Sequence, residues 1–318
     1  MQALCLEKKQ LILQDNIPIP EPLASEALVR VHLAGICATD LELVKGYYPY
    51  TGILGHEFVG EIVQAVNAPE RIGERVVGEI NVACGMCETC LRGQTTHCER
   101  RTVLGIVNRD GAFAEYLCLP LKNLIPVPAS IPNEAAVFTE PLAAALEIQA
   151  QVTIRPTDQV LVVGAGRLGL LIAQTLVLTG CQLQVVARHD KQQQLLAARQ
   201  IAWIDENSVQ SRAFGVVIEA TGSTGGFRLA RQAVRPRGTI VLKSTYQGDS
   251  SINFSALVVD EISLVGSRCG PFAPALRLLE NRLVDPTLLI DDCFPLDKAL
   301  DAFERVVQPG VLKVLLST

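Results

Sequence analysis

Asp158-Gln159-Val160-Leu161-Val162-Val163-Gly164-Ala165-Gly166-Arg167-Leu168-Gly169 reads as a buried apolar strand that runs straight into a G-x-G-x-x-G turn. Leu170 to Thr179 continues as a helix, Gly180 stops it, and Gln182-Leu183-Gln184-Val185-Val186-Ala187 supplies a second strand. A glycine fingerprint alone is weak. Between a strand and a helix, with a second strand behind it, it specifies a dinucleotide-binding unit. Backbone must approach a pyrophosphate closely, and the helix N-terminus supplies positive potential. Gly164, Gly166, Arg167, Leu168 and Gly169 are therefore candidate cofactor contacts.

The residues that follow the second strand decide which dinucleotide. Ala187 stands where an Asp or Glu would bind the ribose 2′-hydroxyl, and Arg188-His189 come next. A guanidinium suits a 2′-phosphate, so the sequence predicts NADP(H) in preference to NAD(H). In a looser register Asp190 becomes the ribose ligand instead. Further strands are expected over 215–219, 238–242 and 262–267, the last ending in Arg268. Thr221-Gly222, just past the first of these, is either a cofactor contact or an ordinary turn. Alternating strands and helices of this kind give a parallel, doubly wound sheet.

Upstream, from Met1 to about Pro128, short alternating segments at 27–33, 61–66 and 75–78 are broken by Pro and Gly, the pattern of a small barrel-like β domain. Downstream, helices are expected over 273–281 and 296–306, and a last strand over 311–316 returns to the first domain. The fold class is thus α/β. A β-rich domain spans 1–145 and 271–318, and a doubly wound domain spans 146–270.

Two constellations carry metal chemistry. Cys84-Gly85-Met86-Cys87-Glu88-Thr89-Cys90 followed by Cys98 is a C-x2-C-x2-C-x7-C arrangement. Four thiolates so placed close a tetrahedron around zinc and leave no position for chemistry, so this site is structural. Four of the ten cysteines crowd into this loop, which favours metal over disulfides. The second is Gly55-His56-Glu57 read with Cys37, nineteen residues before His56. A thiolate, an imidazole and a carboxylate make a zinc site with a position left for substrate.

Each residue around that second constellation also has a plain reading. Cys37 alone is most often a buried small hydrophobe. Thr39 is a helix cap or a hydroxyl within reach of a substrate alcohol; Asp40 is a cap or the support of a metal-bound imidazole. Tyr47, Tyr48 and Tyr50 form a packed loop or a substrate-facing wall. In Phe138-Thr139-Glu140-Pro141-Leu142, Glu before Pro is pushed out of helical geometry, while Pro141 suits a first helical turn. Glu140 is then a charge at a helix N-terminus or a further acidic ligand at the open zinc.

Composition excludes other classes. The chain has 318 residues, 49% of them apolar, enough for two cores and too many for a disordered protein. Its net charge of -5 offers no basic field for nucleic acid or an anionic membrane. No signal pattern or membrane-length apolar run is visible, so a soluble, cytoplasmic protein is expected.

Cys37, Gly55-His56-Glu57, the four-cysteine loop, Glu140-Pro141-Leu142 and the glycine turn, in this order, resemble the zinc-dependent medium-chain dehydrogenase/reductase family. The likeness is to its polyol and sugar dehydrogenase branch, because Glu-Pro-Leu stands where ordinary alcohol dehydrogenases carry a cysteine ligand. The resemblance implies a GroES-like catalytic domain joined to a Rossmann domain and two zinc ions per chain. It implies an open zinc held by Cys37 and His56 with Glu57 or Glu140, Thr39 relaying a proton, Asp40 supporting His56, and Arg268 near substrate or cofactor. It also implies a homo-oligomer, dimer or tetramer, joined by edge strands. The chain departs at Glu42, which stands where many relatives have a relay histidine. The activity so implied is reversible NADP(H)-linked oxidation of a secondary alcohol, polyol or sugar hydroxyl. The alternatives are a zinc-independent reductase of activated double bonds and a non-catalytic cofactor-binding protein.

Overall fold

The computed structural model describes residues 1–246 and 251–318. These fall into two compact units, Met1–Glu140 with Phe272–Thr318, and Pro141–Pro271. Along the chain, β1 (Glu26–Gly35) leads through Cys37 into α1 (Ala38–Val44). Then come β2 (Glu57–Gln64), β3 (Arg75–Gly78), β4 (Tyr116–Pro120), β5 (Leu124–Pro126) and α2 (Thr139–Gln151). The second unit holds β6 (Gln159–Val163), α3 (Arg167–Val177), β7 (Gln182–Val186), α4 (Asp190–Ala198) and β8 (Trp203–Ile204). It continues with β9 (Phe214–Glu219), α5 (Thr224–Ala233), β10 (Val234–Leu242), α6 (Phe254–Val259) and β11 (Ser263–Gly266). The chain returns to the first unit through α7 (Phe272–Glu280), β12 (Ile290–Pro295), α8 (Ala299–Val306) and β13 (Lys313–Ser317).

In the second unit the sheet order is β8-β7-β6-β9-β10-β11, and every pair is parallel. A parallel sheet is covered on both faces, so its central strands are apolar throughout rather than alternating. Val160, Leu161, Val162 and Val163 of β6 are all buried. Leu170, Leu171, Ile172, Ala173 and Leu176 of α3 are buried as well. Each such leucine, isoleucine or valine contributes roughly 1.5–3 kcal/mol on burial.

In the first unit the sheet order is β5-β3-β2-β1-β13-β12, with β4 also paired to β1. β13 lies antiparallel to β1, with Leu315 opposite Gly35, so the C-terminal strand does close the N-terminal sheet. Ala299, Ala302, Phe303 and Val306 of α8 join its core, where the Phe303 and Phe113 rings meet edge to face at 5.9 Å.

Two local expectations need correction. The strand expected over 61–66 begins at Glu57, where a buried carboxylate interrupts the apolar pattern that would have marked its start. Glu140, expected outside helical geometry, is the second residue of α2. Pro141 falls in the first turn, where no intrahelical bond is lost, and the preference of a pre-proline residue yields.

Candidate active site and metal centres

β1 ends at Gly35 and β2 begins at Glu57, and these two residues face each other across the antiparallel pair. Cys37, just past one strand, is thereby set beside His56, just before the other. One ligand atom from each of Cys37, His56 and Glu57 lies within 4.8 Å of the other two. Gly55 permits the corner: its φ is +96°, and a Cβ there would stand 2.5 Å from the Phe113 ring.

Asp40 serves both sides of this corner. Its Oδ2 accepts from the Cys37 backbone N–H at 2.8 Å, and its Oδ1 stands 3.2 Å from His56 Nδ1. One oxygen of Asp40 thus bonds the N–H at the start of α1, and the other lies against the imidazole. With Nδ1 facing Asp40, Nε2 is the ring nitrogen left to donate to a metal. Burial opposes the charged form of His56, but Asp40 and Cys37 beside it raise its pKa well above the usual value. Surroundings negative enough to hold a proton there suit a divalent cation equally. Of the two readings of Thr39, the helix cap does not apply. Cys37 takes that position, and Thr39 Oγ1 lies inside α1, 3.9 Å from Cys37 Sγ.

The four-cysteine loop is equally well defined. Sγ–Sγ distances are 3.5 Å for Cys84–Cys98, 3.8 Å for Cys87–Cys98 and 4.0 Å for Cys84–Cys90. A disulfide needs about 2.05 Å. Sulfurs about 2.3 Å from a tetrahedral zinc stand about 3.8 Å apart, which matches. Backbone N–H groups of Met86 and Cys87 aim at Cys84 and bring its thiol down to about 6, within the range where it is a thiolate at neutral pH.

The glycine turn has the shape a pyrophosphate needs. Gly164 adopts φ +108° against Ala220 and Thr221, and a Cβ on Gly169 would stand 1.8 Å from the Gly164 carbonyl oxygen. Gly166 faces open space and caps α3 without any side-chain hydrogen bond, leaving first-turn N–H groups for an anion. Arg167 begins α3, and its Nη1 is buried without a hydrogen-bond partner among the described residues. Arg188, two residues past β7, pairs with Glu206 at 2.6 Å, while Asp190 lies within α4. The Thr221 hydroxyl contacts the buried Glu219 carboxylate and Ser223, the arrangement of a turn. Arg268 follows β11 on the surface.

Residues 24–129 match the alcohol dehydrogenase GroES-like domain. L-galactonate-5-dehydrogenase of Escherichia coli K12 is 32% identical over 324 residues, a span covering 96% of this chain and 94% of that one. The chain belongs to the zinc-dependent medium-chain dehydrogenase family, on its polyol dehydrogenase-like side. As such it is an oxidoreductase enzyme. Two solved structures share the fold over 100% of this chain and 99% of their own, each with a TM-score of 0.91. One is a zinc-binding dehydrogenase from Sinorhizobium meliloti 1021 bound to NADP, 28% identical. The other is an alcohol dehydrogenase, rspB, from Escherichia coli CFT073 complexed with NADH, 29% identical.

Within this medium-chain dehydrogenase the candidate residues divide by position. Cys37, His56 and Glu57 converge, whereas Glu140 is not part of that group of three. Tyr50 is no substrate wall: it is buried, and its hydroxyl donates to the main-chain oxygens of Ile53 and Arg109 at 2.7 and 3.0 Å. Tyr47 and Tyr48 are exposed. Motif spacing gives no hint of Lys313, yet its Nζ contacts Glu57 Oε2 and donates to the Ile36 carbonyl at 3.1 Å. The one signal was a lysine set inside the apolar run Val311-Leu312-Lys313-Val314-Leu315-Leu316. Among the described residues no helix is long and apolar enough to cross a membrane.

Proposed function

We propose that this enzyme interconverts a secondary hydroxyl of an alcohol, polyol or sugar and the corresponding carbonyl, using NADP(H). The observation that carries the reading is the convergence of Cys37, His56 and Glu57 in a dehydrogenase chain that also holds a glycine turn open for a pyrophosphate. We take Met1–Glu140 with Phe272–Thr318 as the catalytic domain and Pro141–Pro271 as the dinucleotide domain. Two zinc ions per chain are proposed, one closed by Cys84, Cys87, Cys90 and Cys98, the other held by Cys37 and His56 with Glu57 or Glu140. When bound, the open zinc supplies Lewis acidity toward the substrate oxygen and the nicotinamide exchanges hydride with the adjacent carbon. The chain's own groups orient and move the proton. Asp40 holds the imidazole of His56 in one orientation, and the Thr39 hydroxyl takes the substrate proton outward. Beyond it Glu42, paired with Lys45 at 2.8 Å, replaces the relay histidine of many relatives.

Turnover of a panel of polyols, sugars and secondary alcohols with both dinucleotides tests this reading. Activity on none of them would contradict it. Arg188 supports the preference for NADP(H), and Glu206 would have to release it to a 2′-phosphate. Arg188→Ala is expected to lower kcat/KM with NADPH about ten- to a hundredfold, the worth of a charged hydrogen bond, and to leave NADH within about twofold. Equal losses with both dinucleotides would remove Arg188 from the 2′-phosphate site.

The substrate is a small molecule, and a second copy of the chain is proposed as a partner as well. Among the described residues β11 is an edge strand, with Leu264 on it and Phe254, Val258 and Val259 of α6 exposed nearby in the chain. An open edge beside exposed apolar side chains favours association. Val259→Asp combined with Leu264→Lys is expected to shift the mass measured by light scattering toward the monomer. An unchanged oligomer would place the interface elsewhere.

A further inference from the structure

Three strands bring an ammonium to the proposed open metal site. β1 runs between β2 and β13, and its Gly35 is opposed by Glu57 on one side and Leu315 on the other. Lys313, two residues from Leu315, lies on the same face of its strand as Leu315. Because Gly35 has no side chain, Glu57 and Lys313 reach each other across it. A Cβ on Gly35 would stand 2.7 Å from both Glu57 Oε2 and Lys313 Cε. Lys313 Nζ contacts that oxygen, donates to the Ile36 carbonyl at 3.1 Å, and lies 5.5 Å from the centre of the Phe138 ring.

Both partners are enclosed, Glu57 at 1% and Lys313 at 2% side-chain exposure. At this depth neither charge is tolerable without the other. Yet the same carboxylate belongs to the group formed with Cys37 and His56. Glu57 therefore lies between a resident ammonium and the cation its neighbours are arranged to hold. A carboxylate whose charge is already shared with an ammonium donates less strongly to a metal.

We propose that Lys313 is a positioning residue that keeps Glu57 a weak, displaceable donor, so that this side of the metal opens to substrate. The proposal rests on the metal-site reading above. Without Lys313, the buried Glu57 carboxylate would have the metal as its remaining cation partner and would bind it firmly.

The test uses the full-length protein loaded with cobalt(II), comparing absorption bands and the rate of cobalt release to a chelator. The band lost in Cys37→Ser reports the open site. In Lys313→Met that band is expected to change in position and intensity, and release to slow about tenfold or more, the size of effect seen when groups hydrogen-bonded to ligands are altered. Lys313→Arg should release cobalt at the wild-type rate. Glu57→Gln combined with Lys313→Met, which removes both buried charges together, should stay within about threefold of wild type, since only a weak donor is being removed. Release from Lys313→Met that is as fast as wild type or faster, with an unchanged band, would overturn the proposal and make Lys313 a simple support for a firmly bound Glu57. If Lys313→Met does not fold, strongly accelerated release from the double variant Glu57→Gln with Lys313→Met overturns it, and release near the wild-type rate supports it. A wild-type protein without any Cys37-dependent band would instead remove the metal-site reading itself, an outcome separate from the others.

Discussion

Replacing His56 by alanine is expected to lower kcat by at least about a thousandfold, because a Lewis acid contributes several kcal/mol and each 1.4 kcal/mol is tenfold in rate. Dinucleotide affinity should stay within about twofold, since the glycine turn belongs to the other compact unit. The argument is geometric. His56 is buried, Asp40 engages its Nδ1, and its position between Gly55 and β2 sets it against Cys37. Removing the imidazole also strips Asp40 Oδ1 of its neighbour. Cys37→Ser is therefore the companion variant, because it keeps that pair intact and should lose turnover to a similar extent. Steady-state kinetics with the active alcohol, together with titration of the dinucleotide, checks both. Turnover near wild type in either variant would contradict the open-site assignment.

Cys87→Ser is expected to act on stability instead. Closing the 15 residues from Cys84 to Cys98 with a metal tie restricts the unfolded chain, worth roughly 3 kcal/mol by the loop-closure argument used for cross-links. For a unit of this size that corresponds to a fall in Tm of roughly 6–12 °C. Metal analysis should show one zinc fewer per chain, and the Cys37-dependent cobalt band should persist. An unchanged Tm in a protein that has lost that zinc would show that the loop is held by its other contacts.

The four-cysteine loop and the glycine turn were legible in the sequence for the same physical reason. The four cysteines lie within one loop, and the glycine turn lies between adjacent elements, so local spacing determines the geometry. β6, α3 and β7 were likewise readable, since an apolar run, a glycine stop and a second run need no distant partner. Cys37 and His56 required more, because only the pairing of β1 with β2 brings them together.

What the sequence withheld depends on long-range contacts. Lys313 is 256 positions from Glu57, and a lysine in a terminal strand looks solvated until the strand is placed beside β1. Asp40 looked like a choice between cap and imidazole support because a carboxylate's two oxygens can serve different partners at once. Tyr50 was open between packed loop and substrate wall because its loop position does not reveal that its hydroxyl is consumed by main-chain oxygens. Thr221 was open between turn and cofactor contact, and the buried Glu219 beneath it explains why a hydroxyl is needed in that turn.

The proposed mechanism depends on a divalent cation at Cys37 and His56, separate from the one closed by four sulfurs. Zinc content per chain, measured by mass spectrometry on wild type and His56→Ala purified side by side, tests this directly. Two ions in the wild type and one in the variant are the expected result. The same number in both proteins would contradict it.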